Sequence, residues 1–363
     1  MASPNLTTDI INDILDQLTE YDKNYQKNLK DLRSCMLINK HWCTHVIERI
    51  WSKPFHYVGH ADKRIINTYL SCLEISEKQS LIENMIDVNQ ISFGLANAGL
   101  NKESLLKIKS TFDYPSMLKH LHFRDILISA ELWCNYYISK KNPKSNDIER
   151  NYLVILEYLL KMISKRSKNL TSIYLYPCAG YDYISLLAEP GICRLFESVR
   201  KLELVEMQML LDGLANVCKN VEYLDISLSK ISDDSQATNL SRLISSQTAL
   251  YTFCCKSSSI YANQVINSIS SQSKYLRMVQ FHDVNFTGCS PLYGLAKCTK
   301  LELLTFHWCI SVNYELVKPL VEVEMDKLDD VVIHGYVCKE LREWKEKIED
   351  RAVERRLIAL KIK

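Results

Sequence analysis

The chain of 363 residues holds only 9 glycines, and none falls in a GxGxxG or GxxxxGK[ST] pattern. That excludes the glycine-rich backbone cradles that hold nucleotide phosphates. GxSxG elbows and HExxH helices are missing too, so neither a hydrolase nucleophile of that kind nor a zincin centre is on offer. Charge of one sign is scarce: 45 basic against 43 acidic residues leave a net +2, which argues against a nucleic-acid or membrane-surface partner. No uninterrupted apolar run approaches 18 residues, and the start lacks a basic-then-apolar leader, so no membrane span or secretory signal is expected. The 13 cysteines are odd in number and scattered, without a CxxC pair. A disulfide framework or structural zinc site would show recurring spacing. They read as reduced, buried small side chains in a soluble protein of the cytoplasm and/or nucleus. Neither a cofactor nor a metal is expected.

What is present begins with two amphipathic stretches. In LTTDIINDILDQL (6–18), Ile10, Ile11, Ile14, Leu15 and Leu18 recur at helical spacing, giving one apolar stripe. Thr8 or Asp9 is placed to cap that helix. In NLKDLRSCMLINKHWC (28–43), Leu32, Cys35, Leu37, Ile38 and Trp42 repeat the pattern. A module of about 45 residues cannot bury so much apolar surface, so part of it should face a partner. The plainer alternative is an N-terminal cap on the domain that follows. His41 and His45 stand four apart near Cys43, a spacing that can hold zinc on a helix, but the apolar pattern already accounts for this stretch.

These residues resemble an F-box. Its pattern is a leading Leu-Pro, an acid-Ile/Leu-Leu couple, an Ile-Leu pair, then Leu-x-x-Cys-x-x-Val-x-x-x-Trp. Thr7 stands where the family usually has proline, and the polar spacer 19–27 is longer than in compact members. The resemblance implies docking to a Skp-type adaptor, and through it to cullin and RING subunits. The residues it assigns to that contact are Leu6, Ile10, Ile14, Leu15, Leu18, Leu32, Leu37, Ile38 and Trp42.

Beyond Trp51, Arg64–Leu73 and Ser80–Ile86 read as short amphipathic helices joined by Glu77-Lys78-Gln79. They would pack the first module on the next domain. An apolar L-x-x-L-x-L triplet then recurs, starting at Leu118, Leu170, Val199, Val221, Leu250, Leu276, Leu301 and Leu328. One triplet means little, since about one window in ten matches by chance at this composition. The intervals carry the signal: from Leu170 onward they are 29, 22, 29, 26, 25 and 27 residues, within the roughly 20–29 of leucine-rich repeats. Cys178 and Cys309 follow their triplet starts by eight residues, where such repeats usually place Asn or Cys; Met207, Val284 and Tyr336 depart from this. Helical patterns such as Leu240/Leu243/Ile244 and Leu316/Val317/Leu320 lie between the triplets. The expected fold class is α/β: an F-box (1–52), a helical linker (53–90), an irregular leucine-rich-repeat solenoid with a parallel inner sheet and outer helices (91–338), and a capping helix (339–363). The long interval from Leu118 to Leu170 should hold a surface loop at 139–150 and an apolar helix at 151–163.

Residues alternating with the triplets should point from the inner sheet. Target contacts are expected at His120, His122, Arg124, Tyr174, Tyr176, Lys256, His282, His307, Trp308 and His334, a mixture suited to protein recognition. Ser172, Asp225 and Thr305 would share that face. Lys256, His282, His307 and His334 each lie six residues after a triplet start, so they should form a ladder whose imidazoles resist joint protonation. The two architectural levels together resemble the F-box/leucine-rich-repeat proteins, most of all their expanded fungal members. This implies a non-catalytic substrate receptor of a Skp–cullin–F-box ubiquitin ligase, holding an unknown target on the concave face. The alternatives are a non-degradative scaffold without cullin, and a co-receptor with a small ligand under the target.

Overall fold

The computed structural model describes residues 7–20, 25–58, 61–85, 106, 109–137, 145–178, 181, 183–228, 234–256, 262–323, 325–335 and 338–361. The protein is α/β and divides into two compact units, Met1–Leu170 and Thr171–Lys363.

The first unit is mostly helical. Its helices α1 (Thr8–Glu20), α2 (Tyr25–Met36) and α3 (Lys40–Ser52) enclose a small core of Ile11, Leu15, Leu32, Trp42 and Val46. Helix α1 starts earlier than the capping expectation: the Thr7 carbonyl already accepts from the Ile11 amide at 3.1 Å, so Thr8 and Asp9 lie inside the helix. Asn39 caps α3 by accepting from the Trp42 amide at 3.0 Å, which answers one of the amides a helix start leaves unpaired. Arg49 of α3 pairs with Asp16 of α1 and so closes the module.

After α4 (Pro54–Val58) come α5 (Lys63–Cys72) and α6 (Ile75–Asn84). The expected joint at Glu77-Lys78-Gln79 lies inside α6; the real break is Leu73–Glu74. The cause is a capping box, in which Glu74 and Glu77 answer each other's amides. Lys78 is buried, and its ammonium donates to the Ser71 carbonyl at 3.2 Å. The unit continues through α7 (Tyr114–Met117), the short β1 (His120–His122), α8 (Phe123–Tyr137) and α9 (Ser145–Arg166). Two expectations change here. Phe123 is buried, but it opens a helix and does not close a strand, and Arg124 with it leaves the sheet. The surface loop placed at 139–150 is helical from Ser145; 139–144 lie outside the described residues. Arg166 at the end of α9 fastens it to Glu74 at 2.9 Å and Asp113 at 3.5 Å.

The second unit repeats one strand-and-helix theme. Strands β2 (Ser172–Leu175), β3 (Lys201–Val205), β4 (Tyr223–Ser227), β5 (Thr252–Lys256), β6 (Met278–His282), β7 (Leu303–His307) and β8 (Asp330–His334) lie in sequence order, all parallel. Their register never slips: the first residue of each pairs with the first residue of the next. The carbonyl just before each strand enforces this. Those of Thr171, Arg200, Glu222, Tyr251, Arg277 and Glu302 each accept two successive amides from the following repeat at 2.7–3.2 Å.

Second and fourth strand positions are almost all buried, as the triplet pattern requires: Leu202 and Leu204, Leu224 and Ile226, Phe253 and Cys255, Val279 and Phe281, Leu304 and Phe306. Helices supply the other side of that core. These are α10 (Tyr183–Ala188), α11 (Pro190–Cys193), α12 (Leu211–Val217), α13 (Asp234–Ser245), α14 (Ala262–Ile269), α15 (Tyr293–Ala296) and α16 (Tyr314–Glu322). The apolar residues expected on them, Leu240/Leu243/Ile244 and Leu316/Val317/Leu320 among them, are buried. Two glutamines stitch neighbouring repeats. The Gln247 side chain accepts from the Val221 amide at 3.0 Å and donates to the Cys218 carbonyl at 2.9 Å; that of Gln272 accepts from the Leu250 amide at 3.1 Å. Helix α17 (Lys339–Lys361) closes the unit, burying Leu341, Trp344, Ile348 and Ala352.

Candidate functional site

Two surfaces carry the residues singled out by sequence. In the first unit the expected adaptor contacts divide. Leu15 and Leu32 are fully buried and Trp42 is 8% exposed; with Ile14 and Leu18 packed beside them they form the module's own core. They hold the helices together, with Leu15 and Leu32 wholly covered by the module itself and Ile14 and Leu18 only partly so. Ile10, Leu37 and Ile38 stay 45%, 87% and 57% exposed. Leu37 and Ile38 sit in the turn between α2 and α3, held by amides that donate to the Ser34 and Cys35 carbonyls. Leu6 lies outside the described residues.

His120 and His122 also belong to the first unit, both half-buried. His122 stands 3.8 Å from Asp125, and Arg124 is exposed on α8. The zinc spacing at His41 and His45 gives an edge-to-face ring pair 4.7 Å apart. Among the described residues no group of three or more His, Cys, Asp or Glu is placed to hold a metal ion.

In the second unit the odd strand positions form the face away from the helices. Odd positions line up across strands because the register is constant, so the face has three rows. The first row holds Lys201 and Tyr223, with the Lys201 ammonium 4.7 Å from the Tyr223 ring centre. In the middle row Tyr174, Glu203, Asp225, Cys254, Gln280 and Thr305 follow one another. Ser172 in the first row and Asp225 and Thr305 in the middle one, expected to be open, are buried. Strands about 4.8 Å apart let larger neighbours cover such short side chains. Cys254 was not foreseen on this face at all.

The third row is Val205, Ser227, Lys256, His282, His307 and His334. The expected ladder is present: His282 and His307 rings lie 5.2 Å apart, His307 and His334 rings 4.7 Å. Burial, then His307 and Lys256, hold His282 below its ordinary value. Lys256 donates to buried Asp225 at 2.8 Å. Tyr176, just past β2, bonds to Glu203, and burial with that carboxylate raises its phenol. Burial and Asp225 push Tyr223 up to about 12. Glu203 and Asp225 thus anchor Tyr176 and Lys256, and position parity on the strands was the signal that could have marked them as partners.

Where four of these strands end the backbone turns sharply. Glu206, Asp283 and Trp308 follow β3, β6 and β7 with φ of 53°, 55° and 55°, and Gly335 follows β8 at 127°. The Cys309 thiol donates to the Phe281 carbonyl at 3.4 Å, and Cys178 donates to that of Tyr176 at 3.7 Å. Both cysteines therefore satisfy the chain as it leaves the sheet, whereas Met207 and Val284 at the same position are simply buried; Tyr336 is outside the described residues. No helix among the described residues is long and apolar enough to cross a membrane. Comparison with protein-family models and with curated proteins finds no match for this chain.

Proposed function

We propose that the chain is a non-catalytic receptor of the F-box/leucine-rich-repeat kind. In this reading the first unit docks a Skp-type adaptor of a cullin–RING ubiquitin ligase, and the second unit's polar face holds the target. The observation that carries it is the turn at Leu37 and Ile38: two large apolar side chains, 87% and 57% exposed, on a module whose Ile11, Leu15, Leu32, Trp42 and Val46 close into a core. Water-exposed apolar anchors of this kind gain most when a partner covers them. The second unit contributes a continuous sheet face with aromatics, histidines and both charge signs. Its task is to raise effective concentration, holding a target lysine near the conjugating enzyme that the complex brings.

The test is co-purification with the tagged full chain. Wild type should retain an adaptor and a cullin, and the Leu37→Asp, Ile38→Asp double variant should lose both while its helical signal and unfolding midpoint are unchanged. Truncating buried interface anchors typically costs on the order of 2–4 kcal/mol each, so the loss should be near complete. Adaptor without cullin would move the reading to a non-degradative scaffold. Undiminished adaptor binding by the double variant would overturn the docking assignment.

A further inference from the structure

Lys256, His282, His307 and His334 occupy the same strand position on four adjacent parallel strands. At about 4.8 Å per strand the row is about 14 Å long. Trp308 stands beside it, 62% exposed, its ring 5.7 Å from that of His307 and nearly perpendicular to it. Trp308 shares its left-handed backbone, φ 55°, with Glu206 and Asp283 at the same place after their strands, so that turn belongs to the repeat, while most of the Trp308 side chain faces water.

The charges around the row are few. Facing His282 are His307, Lys256, Asp225 and Asp283. Asp225 is already occupied by the Lys256 ammonium, and Glu203 acts on Lys256 from β3. His307 lies between His282 and His334, with Trp308 at its side. The row therefore presents one fixed cation and three imidazoles, of which His282 is held below its ordinary value by burial, then by His307 and Lys256, with Asp283 exposed at its rim.

We infer that this row is a docking site for a short extended peptide segment bearing anionic groups, laid across β5 to β8 against Trp308. The inference rests on the recognition role proposed for the second unit and names its ligand class. A segment of about four extended residues covers the same 14 Å at about 3.4 Å per residue, whereas a lone small anion would engage only a neighbouring pair. Carboxylates and phosphorylated side chains share the needed chemistry: either favours the imidazolium form and accepts charge-assisted hydrogen bonds from it. Binding then takes up protons, so affinity falls as pH rises through the histidine range.

The full chain should be titrated, with a chelator present, against three fluorescein-labelled octapeptides. These are identical except at two alternate positions, which hold phosphoserine, glutamate or glutamine. Anisotropy at about pH 6 should show the phosphoserine peptide, the glutamate peptide or both bound about tenfold or more tightly over the glutamine one, an advantage lost by about pH 8. The His282→Gln, His307→Gln, His334→Gln triple variant should bind all three alike with a flat pH profile, and Trp308→Ala should weaken the anionic peptides without flattening it. Preference for phosphoserine over glutamate assigns the phosphorylated source, and equal binding of the two assigns simple carboxylates. No preference in wild type, an unchanged profile in the triple variant, or binding only when zinc replaces the chelator would overturn the inference. Adaptor co-purification from the same preparations separates the two readings. Adaptor retained with no peptide preference defeats this inference alone; peptide preference without adaptor defeats only the docking half of the proposed function.

Discussion

Replacing Gly294 by alanine measures how closely two outer helices approach. A Cβ at Gly294 would lie 2.2 Å from the Ile266 carbonyl oxygen, 2.9 Å from its carbon and 3.1 Å from the Asn267 Cα. All are backbone atoms of α14, so no side-chain rotation relieves the overlap and the two helices must move apart. Alanine in a helix would otherwise gain about 1 kcal/mol over glycine. Forcing an extra carbon into a packed interior costs about 1–3 kcal/mol, and an overlap this deep with backbone belongs at or above the upper end. The net expectation is a loss of about 2 kcal/mol. Gly213 on α12 is the matched control, because its Cβ would meet only the Leu187 Cδ1 at 2.7 Å, with the next atoms at 3.7 Å or beyond. A leucine tip can turn away, so Gly213→Ala should be neutral or up to about 1 kcal/mol stabilising. For a unit of this size 1 kcal/mol moves the midpoint by about 2–4 °C. Calorimetry of the full chain should therefore show Gly294→Ala lower by about 4–8 °C, with hydrogen exchange quickened across 262–307. Equal midpoints for Gly294→Ala and wild type, or an equal loss in Gly213→Ala, would refute the argument. Since α14 and α15 follow β5 and precede β7, the same variant should also loosen the histidine row.

Leu15→Ala should destabilise the first unit by about 2–5 kcal/mol, as for other fully buried leucines, whereas Ile38→Asp should change urea unfolding by less than about 0.5 kcal/mol; comparable losses would mean the core and the exposed turn have been confused. Thiol titration of the folded chain should leave Cys72, Cys134, Cys218, Cys254, Cys255 and Cys298 unreacted, with the other seven of 13 modified and the remainder released by urea; burial pushes Cys254 and Cys298 up to about 12, which slows them further. Burial, then Lys53 and His122, hold His56 below its ordinary 6.5, and His282 is lowered by burial first as well. The unfolded chain accepts those protons more readily, so stability should be full above about pH 6.5 and decline as pH falls below it. A midpoint that rises on acidification through that range would contradict this.

The sheet was legible because its signal is local and parity-based. Each triplet from Leu170 to Ile333 names the even positions of one strand, and constant parity carried the prediction from there to the paired rings of His282, His307 and His334. The triplet at Leu118 misled for the same reason. Leu118, Leu121 and Phe123 are all buried, yet an apolar triplet does not say when a strand gives way to a helix, and here it does so at Phe123. Which apolar residues of the first module close its own core and which stay exposed could not be read from the stripe: an amphipathic pattern records that a face is covered, not what covers it. The exposed turn at Leu37 and Ile38 and the buried Leu15 and Leu32 have the same hydropathy and differ only in the three-dimensional closure of the helices. Likewise nothing in the sequence around Asp225 announces its burial, which depends on what stands on the strands beside it.

The six carbonyls that each accept two amides from the next repeat divide the second unit into a part that can change length and a part that cannot. Between one such carbonyl and the next the chain runs 22 to 29 residues, and all of that variation falls on the helix side. A residue inserted there lengthens a loop. A residue inserted within a five-residue strand would swap that strand's two faces; in β6 it would turn His282 toward the core and Phe281 toward water. Length can therefore change on the helix side without disturbing the register, while side chains on the sheet's open face can be exchanged one at a time at fixed pitch. A surface of that kind can acquire a new partner without acquiring a new fold.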